Sequence, residues 1–132
     1  MYMHKIFLVL GSLLGGLAVA LGAFGAHGLK KMQVEPDTIA NYQTGVQYQM
    51  YHALVLLFLG LLAERLAGSS LVNYAGFFFI GGIILFSGSL YLIVSMKTMN
   101  KVIPTAVGIL TPIGGLLFIL GWIFLLLSLI RK

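Results

Sequence analysis

Long apolar runs alternate with short polar stretches along this chain, and each run is about the length of a membrane span. The first uncharged run is Ile6 to Ala26; at ~1.5 Å per residue its 21 positions reach ~30 Å, the thickness of a hydrocarbon core. The basic start and Ala18-Val19-Ala20 also resemble a secretory signal with a small-residue cleavage site. Because the run stays apolar past Ala20, an uncleaved span is expected. Glu35-Pro36-Asp37 then reads as a helix start, with Pro in the first turn and acids at the positive end of the dipole. No breaker follows until Gly68. A helix from Pro36 to Leu66 would be ~46 Å long, well beyond ~30 Å of hydrocarbon. Its first two or three turns are therefore expected outside the hydrocarbon core or in the headgroup region, and Asn41, Gln43, Thr44, Gln47 and Gln49 agree in polarity. Tyr42, Tyr48 and Tyr51 suit the wet boundary there.

Glu64 and Arg65 close this second span, and Gly68-Ser69-Ser70 is so short that the second and third spans must be antiparallel neighbours. The third runs from about Tyr74 to Met96, and the fourth opens at Pro104 and ends before Arg131 and Lys132. Pro112 is expected to bend the fourth, with Thr111 satisfying part of the freed backbone. The pattern predicts an all-α integral membrane protein: a four-transmembrane-helix bundle with an interfacial extension at the start of the second helix. Residues 1–132 form one membrane domain in this reading, with spans at about 6–26, 45–66, 74–96 and 104–130 and both termini on one side.

Composition sharpens this. The chain is 60% hydrophobic and 8% charged, far below the ~25% charged of a soluble domain. It has no cysteine, so disulfides, thiolate metal sites and thiol nucleophiles are excluded. The net charge of +5 sits at the edges of apolar runs, as interfacial anchors do, and not on a nucleic-acid surface. Lys5, Arg65, Arg131 and Lys132 on the terminal side balance Lys30, Lys31, Lys97 and Lys101 on the other. The positive-inside rule is thus tied. Cytoplasmic termini are expected because a signal-like first span enters that way.

Gly11, Gly15, Ala18, Gly22 and Gly25 fall on one helix face, where small residues let another backbone approach. They predict a helix-packing seam, within the chain or in a homo-oligomer built through glycine-rich faces.

Chemistry-bearing side chains gather between Gly22 and His52. Gln49 and His52 lie one turn apart on a face of the second helix, with Tyr48 beside His52. Polar groups within hydrocarbon face the protein interior, so both are expected to point inward, with Ser87 or Tyr91 of the third span as interhelical hydrogen-bond partners. His27 ends the first span, with Gly28 as its C-cap. Two facing imidazoles, His27 and His52, would suit a b-type haem or a divalent metal, an alternative that stays open. Without Cys or a third ligand a closed zinc site is not expected. No nucleophile elbow or phosphate loop exists, and Glu35, Asp37 and Glu64 are the only acids.

Four segments, GAFGAHGL (22–29), QYQMYHAL (47–54), FSGSLY (86–91) and TPIGGLLFILGW (111–122), closely resemble the YgdD/YwdK-like family of small bacterial membrane proteins of unknown function. The resemblance covers essentially the whole chain, apart from the loop from Lys30 to Asn41. It implies four spans in the bacterial cytoplasmic membrane and brings no activity.

The residues favour a non-enzymatic membrane protein that binds a lipid or small amphiphile at the first-loop interface, through His27, Lys30, Lys31, Tyr48, Gln49, His52, Ser87 and Tyr91. Lys30 and Lys31 would attract anionic headgroups, at about 1 kcal/mol each near an anionic surface. The competing readings are an oligomeric channel or transporter for ions or small solutes, and a bis-histidine haem protein.

Overall fold

The computed structural model describes residues 3–66 and 69–131. Gly68 of the expected second turn and Lys132 lie outside the described residues. Five α-helices form the fold: α1 (Met3–Phe24), α2 (Pro36–Arg65), α3 (Ser70–Gly82), α4 (Gly88–Thr98) and α5 (Thr105–Ile130). Two five-residue π-helical turns lengthen them, Gly25–Leu29 after α1 and Ile83–Ser87 between α3 and α4. Four continuous helical segments are long and apolar enough to cross a membrane: His4–Leu29, Pro36–Arg65, Ser70–Thr98 and Thr105–Ile130.

Two helical hairpins make the body. α1 packs along α2, α5 packs along α3 and α4, and α2 touches the α3–α4 segment between them. The contacts follow from large residues entering the space left by glycines. Added to Gly76, a Cβ would collide with the Phe7 ring; added to Gly82, with Phe118. Gly121 receives Phe79, and Gly60 receives Leu8. At Gly114 the obstacle is the backbone of Phe86 itself. Dispersion across such close approaches holds lipid-phase helices together, because apolar burial gains little against lipid tails. Phe7, Phe79, Leu56, Leu59 and Val72 are wholly buried at the centre.

The small-residue face of α1 is used within the chain. Gly11 lies against the Ala53 carbonyl, Gly22 against Val46 and Gly25 against Tyr42.

His27 is not at a helix end, and Gly28 is not its cap. The helix continues through both as a π turn, and the Lys30 amide bonds the His27 carbonyl. It stops at Gln33, which takes the left-handed conformation (φ 55°), with bonds from Gln33 N–H to the Lys30 carbonyl and from Val34 N–H to the Leu29 carbonyl. Those paired bonds are a Schellman motif. The same motif ends α4, where Asn100 (φ 56°) donates to the Lys97 carbonyl and Lys101 to that of Met96. Two matching caps thus lie at the same end of the body.

The polar first turns of α2 are packed there. Buried Thr38 and Tyr42 face inward, Tyr42 is clustered with Leu29 and Val94, and the Tyr42 hydroxyl donates to the Leu21 carbonyl.

Candidate functional site

Several polar contacts cross between helices, and each gives a buried side chain a partner on a neighbouring helix. Gln49 is 3% exposed; its Nε2 donates to the Leu14 carbonyl at 2.8 Å, and its Oε1 accepts from the Tyr91 hydroxyl at 2.7 Å. Ser87, wholly buried, donates to the Gly45 carbonyl at 2.6 Å. Gly45 is small enough to admit it: Tyr91 and Leu90 lie directly over the missing side chain. Across the second hairpin, the Ser89 and Thr111 hydroxyls share a 2.6 Å bond.

His52 takes partners other than those expected. Ser87 and Tyr91 are bonded elsewhere, and the ring instead reaches α5. Its Nδ1 lies 2.7 Å from the Tyr48 carbonyl, and its Nε2 lies 3.1 Å from Trp122 Nε1. A carbonyl can only accept and an indole N–H can only donate. The contacts therefore specify a neutral imidazole protonated at Nδ1 and accepting at Nε2. Phe118 stacks on the same ring, centroids 3.7 Å apart and planes within 6°. Every buried side-chain nitrogen and oxygen among the described residues has a partner.

His27 and His52 do not meet. Tyr42 bonds Leu21 and Gln49 bonds Leu14, so α1 and α2 run antiparallel with His27 level with the start of α2. His52 stands about 24 Å further along that helix. Both its nitrogens are engaged, and His27 is exposed. The facing imidazole pair that a bis-histidine haem needs is not formed. Among the described residues no three His, Asp or Glu side chains converge on one point either.

The same register corrects Tyr48 and Tyr51. Expected at the wet boundary, they stand near the middle of α2, because Gln49 between them is opposite Leu14, the middle of the first span. Both line a groove of about 1010 Å³ between α2 and α5, walled by Phe86, Pro112, Phe118 and Trp122.

The first-loop end has two adjoining cavities. One, of about 580 Å³, is a polar cup with Gln33, Glu35, Thr38, Lys97 and Asn100 in its wall. The other, of about 440 Å³, is an apolar groove between the end of α1 and α4, lined by Phe24, Leu29, Tyr42, Tyr91, Val94 and Met99 among others. Met32 and Thr98 belong to both. Lys30 and Lys31, at the adjacent helix end, and His27, one turn before it, are exposed. The expected site residues thus divide: Tyr91 lines the apolar groove, Gln49 and Ser87 make internal bonds, and Tyr48 and His52 line the α2–α5 groove.

Residues 21–115 match a family described as Protein of unknown function (DUF423). The chain is 42% identical over 127 residues to the UPF0382 membrane protein YwdK of Bacillus subtilis (strain 168), covering 96% of this chain and 98% of that protein. The chain belongs to this family. It is also 44% identical over 124 residues to the UPF0382 membrane protein SAB0533 of Staphylococcus aureus (strain bovine RF122 / ET3-1), covering 94% of each. No solved structure matches. Family membership and the four apolar helices make this a multi-pass bacterial membrane protein. The family match includes every residue named above as an expected site residue and stops before Phe118 and Trp122.

Those two, with the Gly45 carbonyl, are what reasoning from sequence missed, and Thr111, expected to satisfy backbone freed by Pro112, bonds the Ser89 hydroxyl. Trp122 carried a signal: an indole N–H deep in a span requires an acceptor, and His52 is the one imidazole within a span's interior.

Proposed function

We propose that the protein is a non-enzymatic binder of a phosphate-bearing amphiphile at its first-loop end. One observation carries the reading: the polar cup and the apolar groove share Met32 and Thr98, so one molecule can fill both. A headgroup in the cup would meet Lys97, with Lys30 and Lys31 adding positive potential nearby, while Gln33 and Asn100 offer amide donors. An acyl chain would run between Phe24 and Val94 along the first and third spans. Glu35 in the same wall favours a headgroup that also carries an ammonium.

Native mass spectrometry from mild detergent tests it. Retained phosphatidylethanolamine or phosphatidylglycerol is expected on the unaltered chain, with several-fold less on Lys97→Ala and Thr98→Trp. No retained lipid, or retention unchanged by both substitutions, would overturn it.

A further inference from the structure

The groove between α2 and α5 is separate from the loop end. The geometry points to a binding site there for a neutral, flat-ringed, membrane-soluble molecule bearing carbonyl oxygens, of the quinone class.

Size sets the first bound. About 1010 Å³ is at the upper end of small-molecule pockets. Polarity sets the second. Of the titratable groups lining it, His52 has both nitrogens engaged, by the Tyr48 carbonyl and by Trp122, and the other two are the phenols of Tyr48 and Tyr51. No charged side chain faces the space, so a neutral ligand fits.

The two phenols decide the rest. Among the described residues neither hydroxyl has a hydrogen-bond partner. Tyr48 lies about 18 Å along α2 from Pro36 and about 24 Å from Glu64, so it is far from either end of the span. An unpaired hydroxyl in hydrocarbon is costly. A phospholipid does not remove that cost, since its polar atoms stay at the headgroup level and its chain offers no acceptor. A ring carrying carbonyl oxygens within the hydrocarbon does. The Tyr48 and Tyr51 ring centroids are 5.9 Å apart and both residues line the groove, so one ligand can lie beside both.

The walls suit a flat ring. Tyr48 is stacked on Phe86 with centroids 4.7 Å apart, and Phe118 is stacked on His52. Phe86 belongs to the π-helical turn Ile83–Ser87, a departure from α-helical winding that is frequent at functional sites. Pro112 and Gly115 keep the α5 side thin.

The chain's single tryptophan, Trp122, lines the groove and supplies the readout. A decyl-substituted 1,4-benzoquinone is titrated into the full chain in detergent micelles while Trp122 emission is followed. Saturable quenching is expected, weakened about tenfold or more in Tyr48→Phe/Tyr51→Phe through the lost hydrogen bonds. Decylbenzene, which lacks carbonyls, should not displace the quinone. Lys97→Ala should leave the titration unchanged, so a failure at the loop end stays distinguishable from a failure here. Quenching that rises linearly and equally in the double variant would overturn the proposal. So would displacement by decylbenzene, or a dimer that forms with rising concentration and is lost in the double variant, which would assign the hydroxyls to a second copy.

Discussion

Trp122 donates its indole N–H to His52 Nε2 at 3.1 Å, joining α5 to α2 beside the groove those two helices flank. The bond fixes the imidazole from one side while the Tyr48 carbonyl fixes it from the other. Nitrogen NMR of the His52 side chain should find a proton on Nδ1 and none on Nε2. The opposite tautomer would show that the indole contact is not made.

The energetic weight of that bond is measurable as a coupling. Trp122→Phe and His52→Phe should each lower thermal stability in detergent, and the double variant should lose less than the sum. Interhelical bonds of this kind in membranes couple by about 0.6 kcal/mol and rarely above about 1.7. Strict additivity would remove the bond from the account.

Gln49 poses a sharper case, because it serves two partners. Gln49→Leu leaves the Tyr91 hydroxyl without its acceptor and takes the second donor from the Leu14 carbonyl, which keeps its bond within α1, and a loss of about 1–3 kcal/mol is expected. Adding Tyr91→Phe removes that orphan and should restore part of the loss. Chemical unfolding of the single and double variants checks the order.

Glycine positions divide by what lies over them. Gly114→Ala pushes a methyl into the Phe86 backbone, which has no rotamer to yield, so this variant should be strongly destabilised. Gly16 and Gly88 have no neighbour within 4 Å, and alanine at either should be neutral or stabilising by up to about 1 kcal/mol. Melting temperatures of the three single variants rank them.

Gln33→Gly should raise stability by about 1 kcal/mol, since glycine takes the left-handed cap conformation without a Cβ penalty. It also removes an amide from the polar cup. Higher stability with weaker lipid retention would separate the cap's role from the cup's.

Much of the fold was legible in the sequence because the bilayer imposes lengths. Four apolar runs between charged edges leave little choice of element, and Pro36 marked the start of α2. The inward aim of Gln49 and His52 was legible for the same reason: hydrocarbon excludes them. Partners were not. Spacing on α2 gives a face and brought Tyr91 into view, but which of Gln49 and His52 it joins, and the pairing of Trp122 with His52, depends on the rotation of two other helices. The depth of Tyr48 and Tyr51 was hidden too. Aromatic residues with polar tips favour interfaces, and only the α1–α2 register places these two in the middle of the span. The cap at Gln33 was obscured by Gly28, which has the better residue type for a cap and lies inside a π turn instead.

The claim of amphiphile binding is tested most directly by finding the chain's occupant in place. Crystals grown in a lipidic mesophase doped with phosphatidylethanolamine brominated on its acyl chain would show bromine by anomalous scattering. An anomalous peak between Phe24 and Val94, with phosphate density beside Lys97, is the predicted result. An empty groove, with bromine confined to the outer faces of the helices, would contradict it.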